Sequence, residues 1–138
     1  SATAALAPLI EANSRCRFLF SHLGLPGRYR EAPSTDAARE RLAPLLQLAA
    51  FPNALVKISG LYAISDPAHG YPHASATPFL DILFERFGAA RCCWGSDFSP
   101  VLDFVSFAQA VDIPWLARHG SADFERVMGG NLLELLGR

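Results

Sequence analysis

The chain has 138 residues, of which 51% are apolar and 18% charged, with a formal net charge of -1. This is the composition of a core-rich globular domain and excludes a disordered chain. Lys57 is the only lysine and the arginines are scattered. The sequence therefore offers no basic stripe to displace counterions from phosphates, and no nucleic acid is expected as a partner.

No apolar run approaches the ~20 residues of a membrane helix, so no membrane partner is expected either. The start, Ser1 to Leu6, lacks a basic stretch followed by a long apolar one, and no signal peptide is read. Cys16, Cys92 and Cys93 are odd in number and include a vicinal pair. They form no disulfide framework and suit a reducing, cytoplasmic setting.

In chain order, residues 2–13 predict a helix ending near Asn13 and Ser14. Residues 17–22 form an apolar run of strand length, closed by the Gly24-Leu25-Pro26-Gly27 bend. Ser34, Thr35 and Asp36 supply N-caps for a helix to about Ala50, with Leu42, Leu45, Leu46 and Ala49 at helical spacing. Residues 54–59 predict a second strand, ended by Gly60, and a polar loop follows. Thr77 and Pro78 read as an N-cap and first-turn pair for a helix reaching Phe87, with Gly88 as its stop. Residues 91–96 predict a third strand with Asp97 at its tip. Asp103 is expected to begin another helix, and a last helical stretch runs from about Ala122 to Leu136.

The order is one helix, then strand and helix three times. The strands are short and almost continuously apolar, as parallel strands buried on both faces are. Each unit has the length found in α/β barrel or doubly wound architecture. Three such strands alone leave two unpaired edges, and a homo-oligomer that covers them is one expectation.

Polar residues recur where strands end: His22, Lys57 with Ser59, and Asp97. In a (β/α)8 barrel this rim carries the active site. His22 suits a metal ligand or an acid/base group, or a structural hydrogen bond. Asp97 sits where a buried strand emerges. It can take a proton from water, complete a metal shell, or cap a turn near Ser99 and Pro100. Lys57, between Val56 and Ile58, is expected to pair with an acidic neighbour such as Asp97 or to snorkel outward; a Schiff-base role is the chemical alternative.

Arg28, Tyr29 and Arg30 follow His22 and can grip a substrate carboxylate, or belong to a solvated loop. Ser59 is counted with them as a substrate contact. His69, Tyr71 and His73 are expected in a solvated loop, since their spacing matches no standard metal motif. Cys92 and Cys93 should point to opposite faces of their strand as small buried hydrophobes. His119, before Gly120, reads as a charge or cap at a helix end.

Taken in order, Ser21-His22-Leu23-Gly24-Leu25-Pro26, the run from Asn53 to Leu61, Trp94-Gly95-Ser96-Asp97-Phe98 and Val127-Met128-Gly129-Gly130-Asn131 resemble the amidohydrolase-related group of the amidohydrolase superfamily. The resemblance covers nearly the whole chain. It implies an α/β fold that is the C-terminal part of a (β/α)8 TIM barrel, about strands six to eight with their flanking helices, as a single partial-barrel domain over residues 1–138. It also implies a small-molecule hydrolase, of a lactone or related carboxylate-bearing compound. His22 and Asp97 would be the catalytic residues, and both would be ligands of a divalent metal such as zinc in a longer parent protein. The runner-up activity is non-oxidative decarboxylation.

The sequence departs from that family in lacking a His-x-His pair, which the family's first strand uses for metal ligation. The metal roles of His22 and Asp97 are conditional on such a pair. No metal, and no independent activity, is expected of the 138-residue chain alone, for which a non-catalytic, self-associating partial barrel is the other expectation.

Overall fold

The computed structural model describes residues 3–137. Three strands, β1 (Phe18–Phe20), β2 (Ala54–Ile58) and β3 (Cys92–Trp94), form a parallel sheet in the order β1-β2-β3. Phe18 stands opposite Ala54, and Val56 opposite Cys92. The helices are α1 (Ala7–Ala12), α2 (Thr35–Leu48), α3 (Leu61–Ile64), α4 (Thr77–Phe87), α5 (Phe107–Val111), α6 (Pro114–Ala117), α7 (Ser121–Glu125) and α8 (Asn131–Leu135). The α-then-β-α order is therefore observed, with shorter strands than the sequence runs suggest.

Strand alternation divides the sheet into two faces. Ala54, Val56, Ile58 and Cys92 face a core shared with Leu42, Leu45 and Leu48 of α2 and Phe79, Leu80 and Leu83 of α4. Leu19, Leu55, Lys57 and Cys93 occupy the alternate positions. Leu55 and Cys93 are buried, whereas Leu19 is 40% exposed at the β1 edge. The two cysteines thus divide between the faces as their alternation requires. Burial pushes the Cys92 thiol up to about 12, with Cys93 adding to the rise and Arg91 opposing it.

Side-chain amides and one guanidinium close the loops under the sheet. Asn53 Nδ2 donates to the carbonyls of Ile10, Asn13 and Cys16 at 3.1, 3.2 and 3.1 Å. Asn131 Nδ2 donates to Ala89 and Cys92 carbonyls, each at 2.7 Å. Arg91 donates to the carbonyls of Phe87, Ala49 and Phe51. These bonds tie the loop carbonyls to side chains of neighbouring segments.

Several expectations are corrected. The first helix is a 3-10 turn (Ala4–Leu6) followed by α1, and residue 2 of the expected span lies outside the described residues. Ser34 does cap α2, accepting the Ala37 N–H at 3.3 Å. Thr77 is the first helical residue of α4 rather than its cap, which is Ala76.

Asp103 ends a 3-10 turn (Pro100–Asp103) and starts no helix. The helix begins at Phe107 because Ser106 and Gln109 form a reciprocal capping box. The polar loop after β2 contains α3 and a further 3-10 turn (Ala74–Ala76). His119 does not extend to solvent as a helix-end charge. Its ring packs 4.3 Å from Phe84 and 4.7 Å from Trp115.

Candidate functional site

The C-terminal ends of the three strands bring His22, Ser59 and Asp97 to one edge of the sheet. β1 ends at Phe20, and His22 follows with φ 53. β3 ends at Trp94, and Asp97 follows with φ 57. Both residues occupy the left-handed region, which is uncommon outside glycine and concentrates at functional sites. His22 Nε2 lies 3.9 Å from Asp97 Oδ2, and the two side chains are 26% and 22% exposed.

Ser59, directly after β2, locks the histidine. Its Oγ is 2.9 Å from His22 Nδ1 and accepts the His22 backbone N–H at 3.3 Å. Gly60 lies against the same ring with φ +64. A Cβ there would stand 2.5 Å from His22 Nδ1. Glycine is required twice over, for the backbone conformation and for the close approach.

Asp97 is held from the other side by Tyr62 of α3. The Tyr62 hydroxyl donates to Asp97 Oδ2 at 2.6 Å. Its ring stacks on Phe104, with centroids 4.8 Å apart and planes 17° from parallel. Burial, the bond to Asp97 and the Asp97 and Asp103 charges raise the phenol to about 12. Tyr62 therefore remains a protonated donor through the neutral range. The sequence reading missed it. Its signal was an aromatic hydroxyl two residues after Gly60, in the βα loop of the middle strand.

Lys57 forms no ion pair among the described residues. Asp97 is engaged by Tyr62 instead, and the Lys57 stem lies under Gly95, where a Cβ would sit 3.0 Å from Lys57 Cδ. Arg28 is exposed and donates from Nε to the Ser65 carbonyl at 3.2 Å. Arg30 pairs with Asp66 at 3.6 Å. The Tyr29 hydroxyl donates to the Pro26 carbonyl at 3.2 Å, and its ring packs on Phe79 at 5.0 Å. These three residues anchor their loop to residues 64–66, whereas Ser59 contacts His22 itself.

His73 is also corrected. It is not a solvated loop residue but is only 7% exposed, and its Nδ1 is buried without a partner. Tyr71 donates its hydroxyl to Asp112, while His69 is exposed as expected.

An imidazole and a carboxylate thus converge at the C-terminal tips of parallel strands, the rim that carries the active site in (β/α)8 barrels. The family description that matches residues 2–138 is Amidohydrolase, and the chain belongs to that family. No curated protein matches it.

Among solved structures, an amidohydrolase from Burkholderia multivorans with bound zinc is similar at 23% identity and a TM-score of 0.72, over 95% of this chain and 49% of that one. A second structure of a Burkholderia multivorans amidohydrolase, with bound HEPES, gives 22% identity and a TM-score of 0.73 over the same shares. A Pseudomonas putida protein, assigned by its name as a 2-pyrone-4,6-dicarboxylic acid hydrolase, gives 26% identity and a TM-score of 0.68. That match covers 98% of this chain and 49% of that one. The chain thus spans about half the length of these structures, and its three-stranded parallel sheet is consistent with part of an amidohydrolase barrel.

A zinc ion takes at least three protein ligands. His22 Nε2 and Asp97 offer two donors on one side of a gap. No cluster of three or more His, Cys, Asp or Glu residues occurs among the described residues. Among the described residues, His22 and Asp97 therefore supply fewer donors than a zinc ion takes. No helix of the described residues is long and apolar enough to cross a membrane.

Proposed function

We propose that this chain carries the His22–Asp97 side of a hydrolase site that opens a lactone or a related ester-like bond in a carboxylate-bearing small molecule. Strands six to eight of the barrel would be β1 to β3, and the remaining strands of a longer protein would complete the site. The observation that carries the reading is the 3.9 Å approach of His22 Nε2 to Asp97 Oδ2 at the strand tips. The Pseudomonas putida relative, a lactone hydrolase by its name, supports the substrate class.

The residues divide the work as follows. Tyr62 occupies Asp97 Oδ2, which leaves Oδ1 to receive a proton from water. Ser59 Oγ accepts the His22 backbone N–H and lies 2.9 Å from Nδ1. In the tautomer this mechanism uses, the Ser59 hydroxyl donates to Nδ1 and the imidazole proton sits on Nε2, where it donates to the substrate carbonyl oxygen.

Water attacks the carbonyl carbon as Asp97 takes its proton, and the oxyanion gathers charge opposite His22 Nε2–H. The ring C–O bond breaks, and Asp97 returns the proton to the departing oxygen, giving a hydroxy acid. Arg28 and Arg30, on the loop that follows His22, would meet a substrate carboxylate by exchanging their present partners.

The test is Asp97→Asn in the full-length protein, assayed for lactone opening. Loss of general-base catalysis should lower kcat by about 100- to 10,000-fold with the fold intact by circular dichroism. Turnover within a few-fold of the parent protein would remove Asp97 from this role.

A further inference from the structure

A cavity of about 40 Å³ is lined in part by Ser59, Gly60 and Tyr62. These residues also contact His22 and Asp97, so the cavity neighbours the pair although neither of the two lines it. Ile58, Leu80, Trp94 and Trp115 contribute apolar lining. The Trp115 indole N–H is committed elsewhere, to Asp81 Oδ1 at 2.7 Å.

Two lining residues set the chemistry. Asp112 places a carboxylate at the cavity, already accepting the Tyr71 hydroxyl, and no Lys or Arg lines the space. A second carboxylate entering here would be desolvated beside a like charge with no cation to offset it. His73 is the other. Its Nδ1 is buried without a partner. Burial holds His73 below the usual imidazole range, favouring the neutral ring, which carries one N–H donor and one acceptor nitrogen. The ring therefore brings neutral hydrogen-bonding capacity to a cavity with apolar lining. The volume admits about two or three water-sized groups, which is a substituent and not a whole ring.

We propose that this cavity is a substrate subsite that receives a small uncharged, oxygen-bearing substituent, a hydroxyl or carbonyl, which accepts a hydrogen bond from His73. It rejects a carboxylate. The inference rests on the hydrolase reading above and narrows its substrate class. A carboxylate carried by the substrate must lie outside this cavity, and the group flanking the reacting bond on this side is neutral.

Three probes separate the possibilities: α-hydroxy-γ-butyrolactone, unsubstituted γ-butyrolactone, and the same ring bearing a carboxylate in place of the hydroxyl. Each is titrated into full-length protein while the imidazole nitrogen resonances of His73 are followed. The hydroxylated lactone should shift them, and the other two should not. In turnover, the hydroxylated lactone should be preferred over the unsubstituted one by about tenfold in kcat/KM, the worth of one neutral hydrogen bond. His73→Asn, which tolerates the φ of 63 at this position but has a shorter side chain, should bring that ratio close to one.

No shift with the hydroxylated lactone, or an equal shift with the carboxylate, overturns the subsite. So does an unchanged ratio in a folded His73→Asn protein. A specific shift without turnover of any probe would support the cavity and overturn the hydrolase reading, so the two failures are told apart. The titration uses unaltered protein and stands even if His73→Asn does not fold.

Discussion

Gly60→Ala is the sharpest perturbation of the site that leaves its chemical groups in place. The backbone there has φ +64, which costs a residue with a Cβ about 1–2 kcal/mol. The added methyl would stand 2.5 Å from His22 Nδ1, 3.0 Å from Cγ and 3.3 Å from Cβ. The imidazole cannot flex away as a lysine tip would, because Nδ1 is tied to Ser59 Oγ at 2.9 Å. Moving the ring breaks that bond, for about 1 kcal/mol more.

The expected loss is therefore roughly 2–3 kcal/mol, read as a lower denaturation midpoint at unchanged m-value. Turnover should fall by a larger factor than stability explains, since the displaced ring no longer faces Asp97. Gly60→Asn separates the contributions, because asparagine tolerates positive φ yet carries the same Cβ. It should be less destabilised than alanine but equally impaired in turnover. A Gly60→Ala protein within about 0.5 kcal/mol of the parent, with normal turnover, would refute the account of how His22 is positioned.

Three further outcomes are expected. Tyr62→Phe removes the 2.6 Å bond to Asp97 and should lower kcat by about tenfold with a smaller change in KM. In the parent protein the phenol is raised to about 12, so its ionisation should disturb activity only as pH rises toward that value. Any loss that begins near neutral pH and persists in Tyr62→Phe has another source. Asn131→Ala leaves the Ala89 and Cys92 carbonyls without their 2.7 Å donors and should cost roughly 2–4 kcal/mol in a denaturant titration. A thiol reagent should modify exposed Cys16 quickly. It should reach Cys92 and Cys93 only on unfolding, since both are buried and burial raises both thiols.

The β-α alternation was legible because parallel strands buried on both faces leave continuous apolar runs such as Ala54 to Ile58. His22 and Asp97 were legible for a related reason. A polar residue that follows such a run falls near a strand tip, and His22 and Asp97 follow the ends of β1 and β3, at Phe20 and Trp94. Misreadings came where tertiary contact overrides local pattern. Asp103 resembles a helix start, but Ser106 and Gln109 supply the stronger reciprocal cap three residues later. His73 sits in a Pro-, His- and Gly-rich stretch that looks solvated, yet the fold turns it inward beside Leu80 and Trp115. His119 packs at a tilt against Phe84, 35 positions earlier in the sequence, a contact no local reading provides. The local signal at Tyr62 did not disclose its role, because that role depends on Asp97 from another strand.

The geometry of the pair has a consequence for how the site is built. His22 and Asp97 follow strands that do not touch each other; β2 lies between them. Each is fixed through the segment that follows β2: His22 by Ser59 and the bare face of Gly60, Asp97 by Tyr62. Residues 59–62 therefore act as a template that sets the separation of His22 and Asp97. This template is local to three strands. It does not depend on a closed barrel for its contacts, whereas a metal site would, because two donors are too few to hold zinc. Substitutions at Ser59, Gly60 and Tyr62 should impair turnover without a matching loss of metal content in the full-length protein. Loss of metal in step with turnover would instead make the strand tips part of a cation cage, with Ser59 and Tyr62 acting through the ion.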